Sequence, residues 1–180
     1  MKKEFFQEIE IPEGIEIKIE DGKVNIKGPE GENKRNFDLR KIVLEKKENK
    51  IILGSKKATK KEKKMINTMT AHIKNMIKGT QEKFEYKLKI VFSHFPITVE
   101  IQGEKAIIKN FLGEKVPREV KIPKDAEIKV DKDIVTVTSL NKEIAGQAAA
   151  NLESATKIKM RDRRVFQDGI YITNKAGREI

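Results

Sequence analysis

The chain contains no cysteine and no tryptophan, and only two tyrosines and two histidines. Without cysteine there is no disulfide framework, no thiolate zinc site and no thiol nucleophile. His72 and His94 stand far apart in the sequence. A catalytic or metal role needs a partner group of defined geometry, and neither histidine has a recognisable one. Gly28-Pro29-Glu30-Gly31 lacks the Gly-Lys-Ser/Thr ending that lets a glycine loop cradle phosphate. Nowhere does the chain approach the roughly 20 consecutive apolar residues of a membrane span. Two lysines open it with no apolar run behind them, so no signal peptide is expected. These absences predict a protein that is not an enzyme. They predict no catalytic residues, no metal, no cofactor, no small-molecule substrate and no membrane association.

What is present is charge. Thirty-nine lysines and arginines outnumber 28 acids, a net charge of +11 in a chain of 180 residues. Such a balance favours a polyanionic partner, nucleic acid above all. The acids are scattered among the lysines and read as a solvated surface rather than as a carboxylate pair.

The chain also nearly repeats itself after 82 or 83 residues: laid without a gap on 97–114, residues 15–32 agree at seven of 18 positions. The identities include Ile15 with Ile97, Ile26 with Ile108 and Gly31 with Gly113. One register slip later Ile51-Ile52 falls on Ile134-Val135, and Met65 and Met69 fall on Ala148 and Leu152. A rival shift of 111, matching Ile11-Pro12 to Ile122-Pro123, fails after one hairpin. A period this long exceeds a solenoid unit and implies tandem domains.

Each half shows short alternating runs and then one helical pattern. In the first, 9–11, 15–19, 24–26, 37–39, 42–44 and 51–53 read as strands, with a tight turn at Asn49-Lys50. A helix is predicted over about 57–78. Met65, Ile66, Met69, Ile73, Met76 and Ile77 form its apolar stripe, and Gly79 is its stop signal. In the second, 86–90, 97–101, 106–108, 120–122, 128–130 and 134–137 read as strands. A helix follows over about 141–158, capped by Asn141, with Ile144, Ala148, Leu152 and Ala155 inward. The predicted class is α+β. Two tandem copies of one domain each have a mostly antiparallel, twisted sheet with one long helix packed on a face. The first spans 1–80; the second spans 81–180 and ends in a basic tail over about 159–180.

Two basic segments stand out. Six lysines fall between Lys56 and Lys64 against the single acid Glu62; this is either a solvated helix start or a contact surface. The tail joins Arg161, Arg163 and Arg164 to Phe166 and Tyr171. Guanidinium forks match phosphate oxygens and stack on bases, and flat rings add stacking surfaces. That combination suits structured RNA, which is recognised through shape, phosphate and 2′-hydroxyl contacts. Phe111 and Leu112, beside a glycine turn, fit a hydrophobic plug and an external contact equally well.

Residues 9–31 resemble the opening hairpins of the sixth large-subunit ribosomal protein family. Residues 68–79, Thr-Met-Thr-Ala-His-Ile-Lys-Asn-Met-Ile-Lys-Gly, resemble its first-domain helix. His94-Phe95-Pro96-Ile97, Asn110-Phe111-Leu112-Gly113-Glu114-Lys115 and Asp168-Gly169-Ile170-Tyr171 are similar to the archaeal and eukaryotic branch, whose eukaryotic members are called the ninth large-subunit protein. The chain is identified as a member of that branch, of the archaeal kind. The resemblance implies two copies of one α/β domain and a structural, non-catalytic role. It also implies a cytoplasmic, ribosome-bound protein supporting translation, on large-subunit rRNA near the sarcin–ricin loop and the base of the factor-binding stalk. Neighbouring ribosomal proteins of the stalk base, and translation GTPases nearby, are the other implied partners. The bacterial branch ends in a different basic segment, so its RNA contacts do not carry over to 161–171.

The expected RNA-binding residues are Lys109, Lys115, Arg118, Asn141, Lys142, Gln147, Asn151, Lys157, Lys159, Arg161, Arg163, Arg164 and Tyr171. Lys56, Lys57, Lys60 and Lys64 are a secondary RNA or protein contact. The alternatives are a free architectural protein on double-stranded nucleic acid and an RNA-modifying enzyme.

Overall fold

The computed structural model describes residues 3–180. They form two compact units, one ending at Lys83 and the other spanning Phe84–Ile180. The first holds β1 (Lys3–Glu10), β2 (Glu16–Glu20), β3 (Lys23–Gly28), β4 (Gly31–Asn36), β5 (Val43–Lys47), β6 (Lys50–Ala58) and α1 (Lys60–Gln81). Two antiparallel sheets form, in the orders β1-β6-β5 and β2-β3-β4. Alternation sends Ile9, Ile51 and Leu53 of one sheet, and Ile17, Val24 and Ile26 of the other, into a common core. Ile66, Met69, Ile73, Met76 and Ile77 close it from α1, so the methionines of the stripe are packing residues.

Several boundaries differ from the sequence expectation. Thr59 and Glu62 form a capping box that starts α1 at Lys60. Lys56 and Lys57 therefore belong to β6, and the lysine run is divided between a strand end and a helix start. At the other end α1 passes through Gly79 to Gln81. A Cβ on Gly28 would lie 2.7 Å from the Thr80 carbonyl oxygen, which also accepts the Glu30 N–H at 3.0 Å. This tertiary seat outweighs glycine's weak helix propensity. Residues 37–39 are loop. The strand lies just before them, in β4, whose sequence Gly-Glu-Asn-Lys-Arg-Asn carries no apolar period. Pairing across the Pro29-Glu30 turn creates it. The β5–β6 turn is Glu48-Asn49, with Glu48 at φ +45°.

The second unit holds β7 (Phe84–Val91), β8 (Thr98–Gln102), β9 (Lys105–Lys109), β10 (Arg118–Lys121), β11 (Glu127–Asp131), β12 (Ile134–Ser139), α2 (Lys142–Ala155), β13 (Gly169–Lys175) and β14 (Arg178–Glu179). A three-stranded sheet, β10-β9-β8, faces a five-stranded one, β11-β12-β7-β13-β14, across the core. Asn141 caps α2, its side chain accepting the Glu143 N–H at 2.9 Å. The buried stripe is Ala145, Ala148, Ala149 and Leu152, with Ile144 only half-buried. Alanine on adjacent positions lets α2 lie close to its sheets. The helix ends at Ala155, not at Ile158. The expected tail over 159–180 is not a tail. Gly169–Lys175 pairs antiparallel with β7 inside the larger sheet, and Ile170 is fully buried.

Both units share one plan, with β1, β6, α1 answering to β7, β12, α2. Equivalent hydrogen bonds fix the register: Ile11 N–H to the Asn49 carbonyl, and Ile90 N–H to the Asp133 carbonyl. Ile11 thus answers to Ile90, 79 residues on, and Asn49 to Asp133, 84 on. Ile51 then matches Val135, not Ile134; a slip of one would turn a buried side chain to solvent. The helices follow the shift of 79 as well: Ile66, Met69, Thr70 and Ile73 answer to Ala145, Ala148, Ala149 and Leu152, all buried. The expected match of Met65 to Ala148 is off by one turn. Unequal loops make the step vary along the chain.

Candidate nucleic-acid interface

The second unit departs from the first in three segments. One joins β7 to β8, one joins β9 to β10, and one joins α2 to β13. The last is anchored at both ends. The Thr156 hydroxyl, 3% exposed, accepts the Ile170 N–H at 2.9 Å. Asp168, 4% exposed, accepts the Ser93 N–H at 3.1 Å and the Ser93 hydroxyl at 3.0 Å. Between these anchors Asp162 organises a turn: its carboxylate accepts the Arg164 N–H at 2.9 Å, and its carbonyl accepts the Phe166 N–H at 3.0 Å. The Tyr171 hydroxyl donates to the Gln167 carbonyl at 3.1 Å. Residues 157–168 are thus a loop tied to the core.

The β9–β10 loop contains a 3-10 turn at Phe111–Gly113. Phe111 is 1% exposed, so of the two roles open to it the plug is the one it fills. Seating it takes left-handed backbone at Asn110 (φ +59°) and Leu112 (φ +51°), which is strained for leucine. Arg118 closes the loop. Its guanidinium grips Glu114 with two hydrogen bonds and donates to the Ala155 carbonyl at the end of α2 at 2.6 Å. It also lies 4.3 Å from the Phe111 ring centroid. The hydrogen bonds from Arg118 hold the Glu114 carboxyl below the usual glutamate range; partial burial opposes this, and the Arg118 and Arg161 charges add to it. The Arg118 bond to the Ala155 carbonyl joins the β9–β10 loop to the end of α2, where the arginine segment begins.

The expected RNA-binding residues divide accordingly. Lys115, Lys157, Lys159, Arg161, Arg163 and Arg164 are exposed, and among the described residues none forms an ion pair. Arg161 stacks at 4.8 Å on Phe166, which presents its guanidinium edge. Arg163, Lys157, Phe166 and Tyr171 line a cleft of about 310 Å³ beside α2. Arg118 is engaged inside the protein. Lys109 pairs with Glu100 at 2.7 Å, and Lys142 lies 5.8 Å from the Phe84 ring. Asn141 serves as the helix cap, and Gln147 donates to Asn151, which donates to the Lys121 carbonyl. In the first unit Lys56, Lys57, Lys60 and Lys64 are exposed on two different elements.

Sequence reasoning missed the apolar side of this surface. Phe92 and Phe95 (each 40% exposed), Val116 (77%), Val165 (74%) and Met160 (fully exposed) all sit on the same three segments. The signal was their place in those loops rather than any period. Phe95 packs on Gly113, where a Cβ would come within 3.1 Å of the ring, and edge-on against His94 at 4.7 Å. His72 has Arg35 as neighbour, 3.5 Å from its Nε2. Among the described residues no three His, Asp or Glu side chains gather as a metal site, and no helix is long and apolar enough to cross a membrane.

The family model described as Ribosomal protein L6 matches this chain twice, over residues 11–83 and 95–169. The chain belongs to the ribosomal protein L6 family. The two matches correspond to the two units with the shared plan. Three archaeal relatives, each named large ribosomal subunit protein uL6, support the assignment. That of Methanobrevibacter smithii is 50% identical over 169 residues, covering 94% of this chain and 95% of its own. That of Methanosarcina mazei is 43% identical over 176 residues, covering 98% and 100%. That of Methanothrix thermoacetophila is 40% identical over 175 residues, covering 97% and 99%. Family membership displaces the two alternative readings, the free architectural protein and the RNA-modifying enzyme.

Proposed function

We propose that this chain is a structural constituent of the large ribosomal subunit and binds large-subunit rRNA through the loop end of its second unit. One observation carries the RNA assignment. Six exposed cations without ion pairs, Lys115, Lys157, Lys159, Arg161, Arg163 and Arg164, lie on segments pinned to the core by Asp168, Thr156 and Arg118. With the backbone of these segments already ordered, meeting phosphate costs side-chain freedom only. They position the protein on RNA, since phosphate and sugar contacts carry register rather than sequence. Phe166 and Tyr171 add stacking surface beside them. Asn141, Gln147 and Asn151 shape the adjoining α2 surface, and Arg118 and Lys109 support it through their protein contacts. The lysines at 56–64 are a secondary contact to RNA or protein.

Following the resemblance, the rRNA region is the neighbourhood of the sarcin–ricin loop and stalk base. The apolar loop residues Phe92, Val116 and Val165 are the natural meeting points for adjoining proteins there. Neutralising about six phosphates gives a slope of about −4 to −5 in log affinity against log salt. Replacing Arg161, Arg163 and Arg164 together by alanine should flatten that slope by about 2 to 3. An unchanged affinity and slope for large-subunit rRNA fragments would refute the assignment.

A further inference from the structure

The two units differ in one further respect: an edge that is covered in the second is open in the first. In the second unit β13 adds to the free side of β7 and packs on α2. The Ile172 N–H reaches the Glu153 carboxylate of α2 at 3.3 Å. In the first unit β1 is the edge of its sheet among the described residues. The shift of 79 carries Lys87, Lys89 and Glu153 onto Glu8, Glu10 and Lys74. Gln7 bonded to Asn67 at 2.8 Å then occupies the place of Tyr86 packed on Gly146, which confirms the match side chain by side chain.

Where β13 would lie, a groove runs between the β1 edge and α1. Gln7, Asn67, Thr70, Ala71 and Lys74 line one end of it, and Ile9, Lys50, Lys74, Ile77 and Lys78 the other. Because the Ile11 N–H faces β6, ladder alternation turns the N–H and C=O of Glu8 and Glu10 outward, unpaired. Two buried side-chain oxygens at the groove, Gln7 Oε1 and Thr70 Oγ1, have no hydrogen-bond partner, and Thr70 is only 7% exposed. Buried polar atoms without partners are costly and rare.

We propose that this groove docks an extended segment of another protein, which adds to β1 as a strand. Its chemistry follows from the inverted charges. Where β13 meets Lys87 and Lys89, the incoming strand meets Glu10 and Glu8, the latter already held by Lys50 at 2.9 Å, so a lysine or arginine stands opposite Glu10 and the rest of that face is polar or basic. Its other face is small or apolar, against Ile9, Ala71 and Ile77, with Lys74 donating to a backbone carbonyl where Glu153 accepts an N–H. Main-chain bonds supply affinity, and alternate side chains supply selectivity. The β13 of a second copy is already paired with its own β7 and is not the occupant.

The test uses the full-length, isotope-labelled chain and an eight-residue peptide alternating lysine and isoleucine, with a scrambled peptide of the same composition as control. Saturable shifts at the amides of Phe6, Glu8, Glu10 and Ala71, for the alternating peptide only, support the proposal. Glu8→Pro removes an outward N–H and leaves the β6 ladder intact; Ala71→Arg fills the groove from an exposed helix position. Each should weaken binding about tenfold or more, a loss of about 1.4 kcal/mol. Equal binding of the scrambled peptide, shifts confined to the second unit, no binding, or self-association of the chain through β1 would each overturn it.

Discussion

Arg118 separates two kinds of cation on the candidate interface, and its removal has a calculable effect. Arg118→Ala removes a charged donor from the last carbonyl of α2, about 1.5 kcal/mol. It removes a partly exposed ion pair with Glu114, about 0.5 kcal/mol, and a cation–π contact with Phe111, about 1 kcal/mol. The second unit should lose about 3 kcal/mol, read by urea unfolding followed through amide signals of β7 and α2. Arg118→Lys should recover little, because a point charge cannot make the two-pronged grip. The Glu114 carboxyl should titrate below the usual glutamate midpoint and return to it in Arg118→Ala. The sign follows from the depressed value: the grip contributes fully above the ordinary glutamate pKa and is lost as pH falls through the lowered one. Arg163→Ala should behave oppositely, with stability changed by less than about 0.5 kcal/mol and the salt slope of RNA binding reduced by about 1. Arg118→Ala should leave that slope unchanged. A stability loss below about 1 kcal/mol in Arg118→Ala, with a slope reduced as in Arg163→Ala, would refute the division into clamp and RNA ligands.

Other consequences follow from the anchors and edges. Asp168→Ala leaves the Ser93 N–H without its acceptor and should cost about 1 to 2 kcal/mol. It should also loosen 157–168, so RNA affinity falls although no cation is removed; unchanged amide protection across 157–168 would contradict this. Hydrogen exchange should distinguish the two sheet edges: the Glu8 and Glu10 amides exchange rapidly, while Lys89, covered by β13, is protected. Equal protection at both edges would remove the basis for an open groove.

The repeat and the fold class were legible because burial imposes a period, and the same apolar spacing recurs in both halves. β4 was not legible, since its pairing partner and turn make it a strand while its six residues are polar. Thr80 seated on Gly28 extended α1 beyond its glycine, a tertiary contact that no local propensity records. The cations at 157–164 were visible as composition. Their fixation was not: Asp168 to Ser93 and Thr156 to Ile170 join residues 75 and 14 apart. Arg118 looked like one more cation, and only its neighbours Glu114, Phe111 and Ala155 reveal a clamp. β13 was hidden for a similar reason: its alternation is short, and its partner β7 lies a whole domain length earlier.

The central claim is that the loop end of the second unit is the main RNA face. Protein–RNA cross-linking in assembled large subunits containing the full chain tests it most directly. The account predicts cross-links to rRNA concentrated at Lys115 and across 157–164. Cross-links concentrated on the lysines at 56–64, with 157–164 unmarked, would contradict it.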